Sequence, residues 1–316
     1  MTEAAQTRVI AADAPGIAEA ARLIREGEPV AVPTETVYGL ASDATSGQAV
    51  ARIYDAKGRP SFNPLIVHVA GVEQAERIAA FSPRARALAA QSWPGPLTLV
   101  LPLREDSGIA ALVTAGLPTI AVRASAHPVM QALIAAAGRP LAAPSANASG
   151  RISPTRAEHV LASLGGRIPL ILDGGATAHG LESTILAVDG DQVRLLRLGP
   201  IPAEALGAAG LEAANLVQAP GQLASHYAPA KPLRLDAAEA APDEWLIGFG
   251  AVPGNATLSR SGDLVEAAVA LFDRLHEADR QPAPRIAVAP IPDQGLGAAI
   301  NDRLRRAAAP RPESTP

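Results

Sequence analysis

Residues 48–69 constrain the fold more than any other stretch of the chain. Gln48–Lys57 carries Val50, Ile53 and Tyr54 at helical spacing, and Gly58 stands where a left-handed helix cap belongs. Pro60 and Pro64 then stiffen a short loop, and Leu65–Val69 follows as a compact apolar strand. A helix handed to a buried strand through a rigid turn is the unit of an α/β fold. The unit recurs unevenly along the chain. Helices are predicted over Ile17–Glu26, Pro128–Ala137 and from Ser82-Pro83 onward. The capping-box pattern Thr155-Arg-Ala-Glu158 predicts another, with Ala157, Val160, Leu161 and Leu164 inside. Pro29–Val32, Leu97–Leu101, Thr119–Arg123, Leu141–Ala143, Pro169–Leu172, Thr184–Val188 and Val193–Leu198 read as strands. The irregular spacing argues for a twisted mixed sheet rather than a regular doubly wound one.

This strand-rich part is expected to span residues 1–210. Residues 211–231 hold Pro220, Pro229, Gly221 and the polar Ser225-His226-Tyr227, which reads as an interdomain linker. Residues 232–309 form a smaller Rossmann-like α/β domain: strands at Leu233–Leu235, Trp245–Phe249 and Arg285–Pro290, and helices at Asp263–Ala278 and Leu296–Ala308. The stripe Val265, Ala268, Phe272 and Leu275 is expected to face its core. The Pro-rich end, 310–316, is expected to be disordered.

With 316 residues and 48% hydrophobic content the chain can bury a large core. Cysteine is absent, which excludes disulfides, thiolate metal sites and cysteine nucleophiles. The N-terminus lacks a basic-then-apolar leader and no apolar run is long enough to span a membrane, so a cytoplasmic protein is expected. A formal charge of -4 disfavours a protein that coats nucleic acid.

Several segments suit an anionic ligand. Lys57 and Arg59 offer a point charge and a fork for phosphate oxygens. Taken alone, they read more readily as the cationic end of a helix. Asn63 and His68 lie beside them, although a histidine within Leu-Ile-Val-His-Val is more often a core group. Ser145, Asn147, Ser149 and Ser153 form a hydroxyl-rich strand end, and Ser183 precedes a strand. Arg123 and Arg197 end strands; judged singly, each reads as a surface ion-pair residue. Asp173 is one carboxylate with no metal-site partners. No Walker loop, nucleophile elbow or histidine metal spacing occurs, and Gly248-Phe-Gly250-Ala-Val-Pro-Gly254 reads as a strand-end turn. Cations, hydroxyls and glycines without a nucleophile suit catalysis by positioning and charge neutralisation.

Taken together the segments resemble the YrdC-like family of L-threonylcarbamoyladenylate synthases in its long, two-domain form. The resemblance is carried by Pro33-Thr-Glu-Thr-Val-Tyr-Gly-Leu40, Lys57-Gly-Arg-Pro with Asn63-Pro-Leu65, Trp93-Pro-Gly-Pro-Leu-Thr98, Ala121-Val-Arg-Ala124, Ala143-Pro-Ser-Ala-Asn147, Leu181-Glu-Ser-Thr-Ile185, His226-Tyr-Ala-Pro229 and Gly295-Leu-Gly-Ala-Ala-Ile-Asn-Asp-Arg303. It implies a YrdC-like fold and the condensation of L-threonine, bicarbonate or CO2, and ATP to threonylcarbamoyl-AMP and pyrophosphate. That product serves threonylcarbamoyladenosine formation in transfer RNA through downstream transfer proteins. By match to the family's positions, Lys57 and Arg59 are expected to neutralise phosphate charge with Mg²⁺, whose ligands stay unassigned. Thr36, His68, Arg123, Ala143 and Ser183 are expected to hold threonine. Arg59, Asn63, Thr119, Ser145, Ser153, Arg197 and Tyr227 are expected to hold ATP, with the linker as a lid. Gln222, Leu223 and Ala224 stand where many relatives carry methionine and basic residues. Rival readings are an RNA-binding module, which leaves room for a weak RNA contact, and a carbamoyl-adenylating hydrogenase-maturation domain, whose zinc finger would need cysteines.

Overall fold

The structure is a computed structural model that describes residues 6–211, 218–221 and 225–310. Positions 222–224 of the linker and the tail 311–316 lie outside the described residues. An eleven-stranded mixed sheet dominates. Its order from one edge is Arg8–Ala11, Leu170–Asp173, Val30–Val32, Gly39–Asp43, Leu141–Ala142, Ile66–His68, Thr119–Arg123, Leu97–Pro102, Thr184–Asp189, Gln192–Arg197 and Ala209–Leu211. A second sheet has four parallel strands, ordered Leu233–Arg234, Arg285–Val288, Glu244–Gly248 and Ala256–Thr257. Helices Leu264–Arg280 and Leu296–Ala308 belong to that smaller body. None of the described helices is long and apolar enough to cross a membrane.

The local expectations hold where a cap or a stop signal exists. The Gly47–Lys57 helix ends at Gly58 with φ 58°, and Ser82 caps the Pro83–Ser92 helix by accepting from the Ala85 N–H. Pro128–Ala137 and Leu296–Ala308 have the expected bounds. The capping box does not form. Arg156 is the N-cap residue of Ala157–Leu164 and provides no side-chain cap, while the Thr155 hydroxyl faces His159 Nδ1 at 3.4 Å. Thr155 lies one residue too early to reach the helix's open N–H groups. Leu161 is 42% exposed and Val265 64% exposed, so neither joins the core. In the long helix Ala267 and Leu271 complete the buried stripe with Ala268, Phe272 and Leu275.

Four strands have no counterpart in the periodic pattern: Arg8–Ala11, Gly39–Asp43, Ala209–Leu211 and Ala256–Thr257. Gly39–Asp43 is buried on both faces, so its Gly-Leu-Ala-Ser-Asp sequence shows no alternation. Arg8–Ala11 is an edge strand whose place is set by parallel pairing with Leu170–Asp173.

Apolar clusters lie under the large sheet and inside the small body. One of them contains Val37, Ile152, Leu181 and Tyr227 together with Phe272, Leu275, Ile300 and Leu304. The small body therefore packs directly on the loops at one end of the large sheet.

Candidate active site

Those loops surround a cavity lined by Thr34, Thr36, Arg59, His68, Arg123, Ala143, Ser145, Glu182, Ser183, Arg197, Gly221, His226 and Tyr227, among others. Strand register assembles it. Parallel pairing of Ile66–His68 with Thr119–Arg123 sets His68 beside Arg123 at the carboxyl ends of both strands. Ser183 directly precedes the strand Thr184–Asp189, and a register shift between Leu195 and Arg197 turns Arg197 towards it. The bridge between Gly39 and Ser145 closes the opposite wall.

Arg123 is buried, and so is its counter-ion Glu35. Its Nη2 donates to Glu35 Oε1 at 2.6 Å, its Nη1 to Thr36 Oγ1 at 2.9 Å, and its Nε to the Gly95 carbonyl at 3.2 Å. Glu35 also accepts from Ser125 Oγ and from the Ala126 N–H. Burial pushes the Glu35 carboxyl up, but Arg123 and these donors outweigh it and bring it down to about 2. Burial, reinforced by Arg123, lowers His68 to about 3, so the ring is neutral, and its Nδ1 is buried with no partner.

Arg59, Arg197 and Lys57 are also buried, yet none meets a carboxylate among the described residues. Arg59 donates to the carbonyls of Asn63 at 3.2 Å and Pro64 at 2.9 Å. Arg197 donates to the Ser183 carbonyl and hydroxyl, both at 3.0 Å, and to the Pro220 carbonyl at 3.2 Å. Ser183 Oγ is in turn 2.7 Å from Thr98 Oγ1. Burial brings Arg59 down to about 10 and lowers Arg197 as well. These guanidiniums sit in a medium that penalises their charge, with acceptors that carry only partial charge. An incoming polyanion would relieve that penalty.

The linker closes the cavity. Tyr227 adopts φ 63°, a left-handed conformation that is uncommon for a bulky residue. Its neighbours hold it there: the His226 N–H donates to Arg306 and the Ala228 N–H to Gly150. Among the described residues Tyr227 Oη and His226 Nδ1 are buried without partners. The enclosed volume is about 40 Å³, far below the several hundred that a nucleotide needs.

Of the residues expected from the sequence, Thr36, Arg59, His68, Arg123, Ala143, Ser145, Ser183, Arg197 and Tyr227 line this one cavity. Arg123 and Arg197 are not the surface ion-pair residues that each suggests singly. Lys57, Asn63, Thr119 and Ser153 do not line it. Lys57 Nζ donates to the carbonyls of Ser145 and Asn147, bracing the wall from behind. Burial, then Arg59, holds its ammonium well below the ordinary lysine range. Asn63 is buried, with Oδ1 lacking a partner. Ser153 Oγ donates to Glu182 Oε1 at 2.5 Å. Thr119 pairs with Pro102 at the other end of its strand from Arg123, about 13 Å along the chain. Glu35 and Glu182 are functional candidates that residue-by-residue reading passes over, because each depends on an arginine distant in sequence. Their only local signal is membership of the Pro33–Leu40 and Leu181–Ile185 segments. Among the described residues no group of three or more histidines or carboxylates could hold a metal ion.

Comparison with known proteins points the same way. Residues 22–199 match the Sua5/YciO/YrdC family model, described as telomere recombination, and residues 191–309 match the Sua5 C-terminal model, described as threonylcarbamoyl-AMP synthase, C-terminal domain. A threonylcarbamoyl-AMP synthase of Bacillus subtilis is 42% identical over 94% of this chain and 94% of its own length. One of Pyrococcus abyssi is 40% identical over 91% and 92%. The crystal structure of P. abyssi Sua5 complexed with L-threonine superposes with a TM-score of 0.87 at 38% identity, covering 96% of this chain and 98% of that one. E. coli YciO, at 20% identity and a TM-score of 0.57, shares the fold over 64% of this chain.

Proposed function

The chain belongs to the Sua5/YciO/YrdC family in its two-domain threonylcarbamoyl-AMP synthase form, and from that premise we propose how its cavity carries out the synthesis. The reaction is a nucleotidyl transfer. The amino group of L-threonine is carboxylated by bicarbonate or CO2, a carbamate oxygen attacks the α-phosphorus of ATP, and pyrophosphate leaves. The observation that carries the reading is the set of buried cations without carboxylate partners among the described residues, beside the Arg123–Glu35 pair.

Arg123 is oriented by Glu35 and Thr36 and keeps guanidinium N–H groups for the threonine carboxylate. Neutral His68 and the Ser183 hydroxyl flank it as uncharged partners for the amino acid. Arg59 and Arg197 face the phosphates and stabilise the charge that builds on the leaving pyrophosphate. Lys57 keeps the Ser145 wall in place, and its charge lies behind that wall. Asn63 and Ser153 reach the nucleotide once the cavity opens. Mg²⁺ fits as an ion brought by ATP, since it is commonly held by substrate phosphates and water rather than by a protein cage. When bound it would offset phosphate charge. Loading requires the linker at Pro220–Gly221 and His226–Tyr227 to swing aside, and its return excludes water from the carbamate. The product would pass to transfer proteins acting on transfer RNA in the cytoplasm.

The test is to incubate the protein with ATP, Mg²⁺, bicarbonate and either threonine or serine and to measure pyrophosphate. Threonine-dependent release is expected. Release that ignores the amino acid, or none at all, would remove the reading.

A further inference from the structure

One buried cation plays no part in the scheme above. Arg303 is 0% exposed and comes from the last helix of the small body. Its Nε donates to Glu182 Oε2 at 3.1 Å, its Nη2 to the Leu198 carbonyl at 2.7 Å, and its Nη1 to Asp302 Oδ2 at 3.0 Å. Glu182 accepts at its other oxygen from Ser153 Oγ at 2.5 Å and lines the cavity. The guanidinium carbon of Arg303 lies 5.4 Å from the centroid of the Tyr227 ring, within reach of a cation–π contact. A single side chain of the small body therefore touches two groups on the cavity wall.

Adhesion between the bodies does not require it. The apolar cluster around Phe272, Ile300 and Leu304 already joins them, and a buried ion pair is a poor source of stability compared with apolar packing. What the pair does accomplish is electrostatic. Glu182 lines the same cavity as Arg59 and Arg197, and it directly precedes Ser183, to whose carbonyl and hydroxyl Arg197 donates. Left without Arg303, its carboxylate would turn to Arg197 and occupy the cation meant for phosphate.

We propose that Arg303 is a positioning residue for the nucleotide: it ties down Glu182, and through it Ser153, keeps the Tyr227 ring on the cavity, and so leaves Arg59 and Arg197 open to phosphate. The small body thereby completes the ATP site without touching substrate. The inference rests on the cavity being the ATP site. It predicts a defect in ATP binding that threonine binding does not share.

The test compares the wild type with Arg303→Lys, Arg303→Met, the double variant Arg303→Met/Glu182→Gln, and Leu304→Ala, a buried packing change in the same helix. Pyrophosphate release gives KM for ATP and threonine separately, thermal melting gives stability, and calorimetric titration gives ATP affinity without turnover. Arg303→Met is expected to weaken ATP about 10-fold or more while threonine KM stays within about 3-fold, the effect of losing a charged hydrogen bond on one ligand's side. Arg303→Lys should retain most of the ATP affinity. The double variant should regain most of it, because the competing charge is gone. Leu304→Ala should lower the melting temperature with no split between the ligands. The inference is overturned if Arg303→Met leaves ATP affinity intact, if both ligands weaken alike in step with stability as in Leu304→Ala, or if Glu182→Gln restores nothing. Should Arg303→Met not fold, the lysine and double variants decide the matter. A wild type that binds ATP but releases no pyrophosphate would sink the synthase reading, while the ratio of ATP affinities would still judge Arg303.

Discussion

Replacing Glu35 by glutamine should weaken the fold in a way that depends on pH. The carboxylate is buried against Arg123, with Ser125 Oγ and the Ala126 N–H as further donors. Its pKa falls from 4.5 to about 2 on folding, which corresponds to about 3 kcal/mol of stability. Because the folded value is the lower one, that stability is fully present above pH 4.5 and is lost as pH falls towards 2. At pH 3.5 a substantial share of it is already gone. Glu35→Gln removes the charge at every pH, so its deficit should be about 3 kcal/mol at pH 7 and shrink to about 2 kcal/mol at pH 3.5. Urea unfolding of both proteins between pH 3.5 and 7, followed by circular dichroism, measures the difference. A deficit that does not change with pH, or one below about 0.5 kcal/mol at pH 7, would show that the pair behaves as a solvated surface bridge and would refute the argument.

Two further substitutions probe the closed cavity. Tyr227 Oη is buried without a partner among the described residues, so Tyr227→Phe should leave stability unchanged or raise it by about 1 kcal/mol while increasing the ATP KM. Thermal melting together with pyrophosphate assays tests this, and a marked loss of stability would mean that the hydroxyl has a protein partner. A Cβ on Gly180 would lie 2.4 Å from the Ala268 carbonyl oxygen and 2.6 Å from Val269 Cα, at a backbone φ of 67°. Neither backbone atom can easily yield, so Gly180→Ala should cost about 3 kcal/mol and loosen the small body from the larger one. A melting temperature within a degree of the wild type would contradict it.

Much of the cavity was legible in the chain because its parts sit in short, dense segments. Thr36, His68, Ser145 and Arg197 each stand at the end of a strand or in the turn beyond it, Arg59 just beyond a helix and Ser183 just before a strand, and the ends of elements are where a mixed sheet gathers its ligand groups. Lys57 illustrates the limit. Its place at a helix end and its charge are sequence properties, but the direction of its ammonium, back onto the Ser145 and Asn147 carbonyls, follows from how two distant loops pack. Thr119 is a second case. It shares a strand with Arg123, and only the pairing of Thr119 with Pro102 reveals that it occupies the opposite end.

By itself the sequence determined the alternation of elements, the helix stop at Gly58, the absence of thiol chemistry and the family to which the segments belong. These are local or compositional properties, carried by a few neighbouring residues at a time. The tertiary structure decided which charges are buried and with what partners. Arg123 finds Glu35, Arg303 finds Glu182, and among the described residues Arg59 and Arg197 find only carbonyls and a hydroxyl. The two ion pairs join residues far apart in the chain, and the energy of a charge depends on burial and on the groups around it. No periodicity or spacing encodes that environment, so the electrostatics of the cavity emerge only when the sheet, the linker and the small body come together.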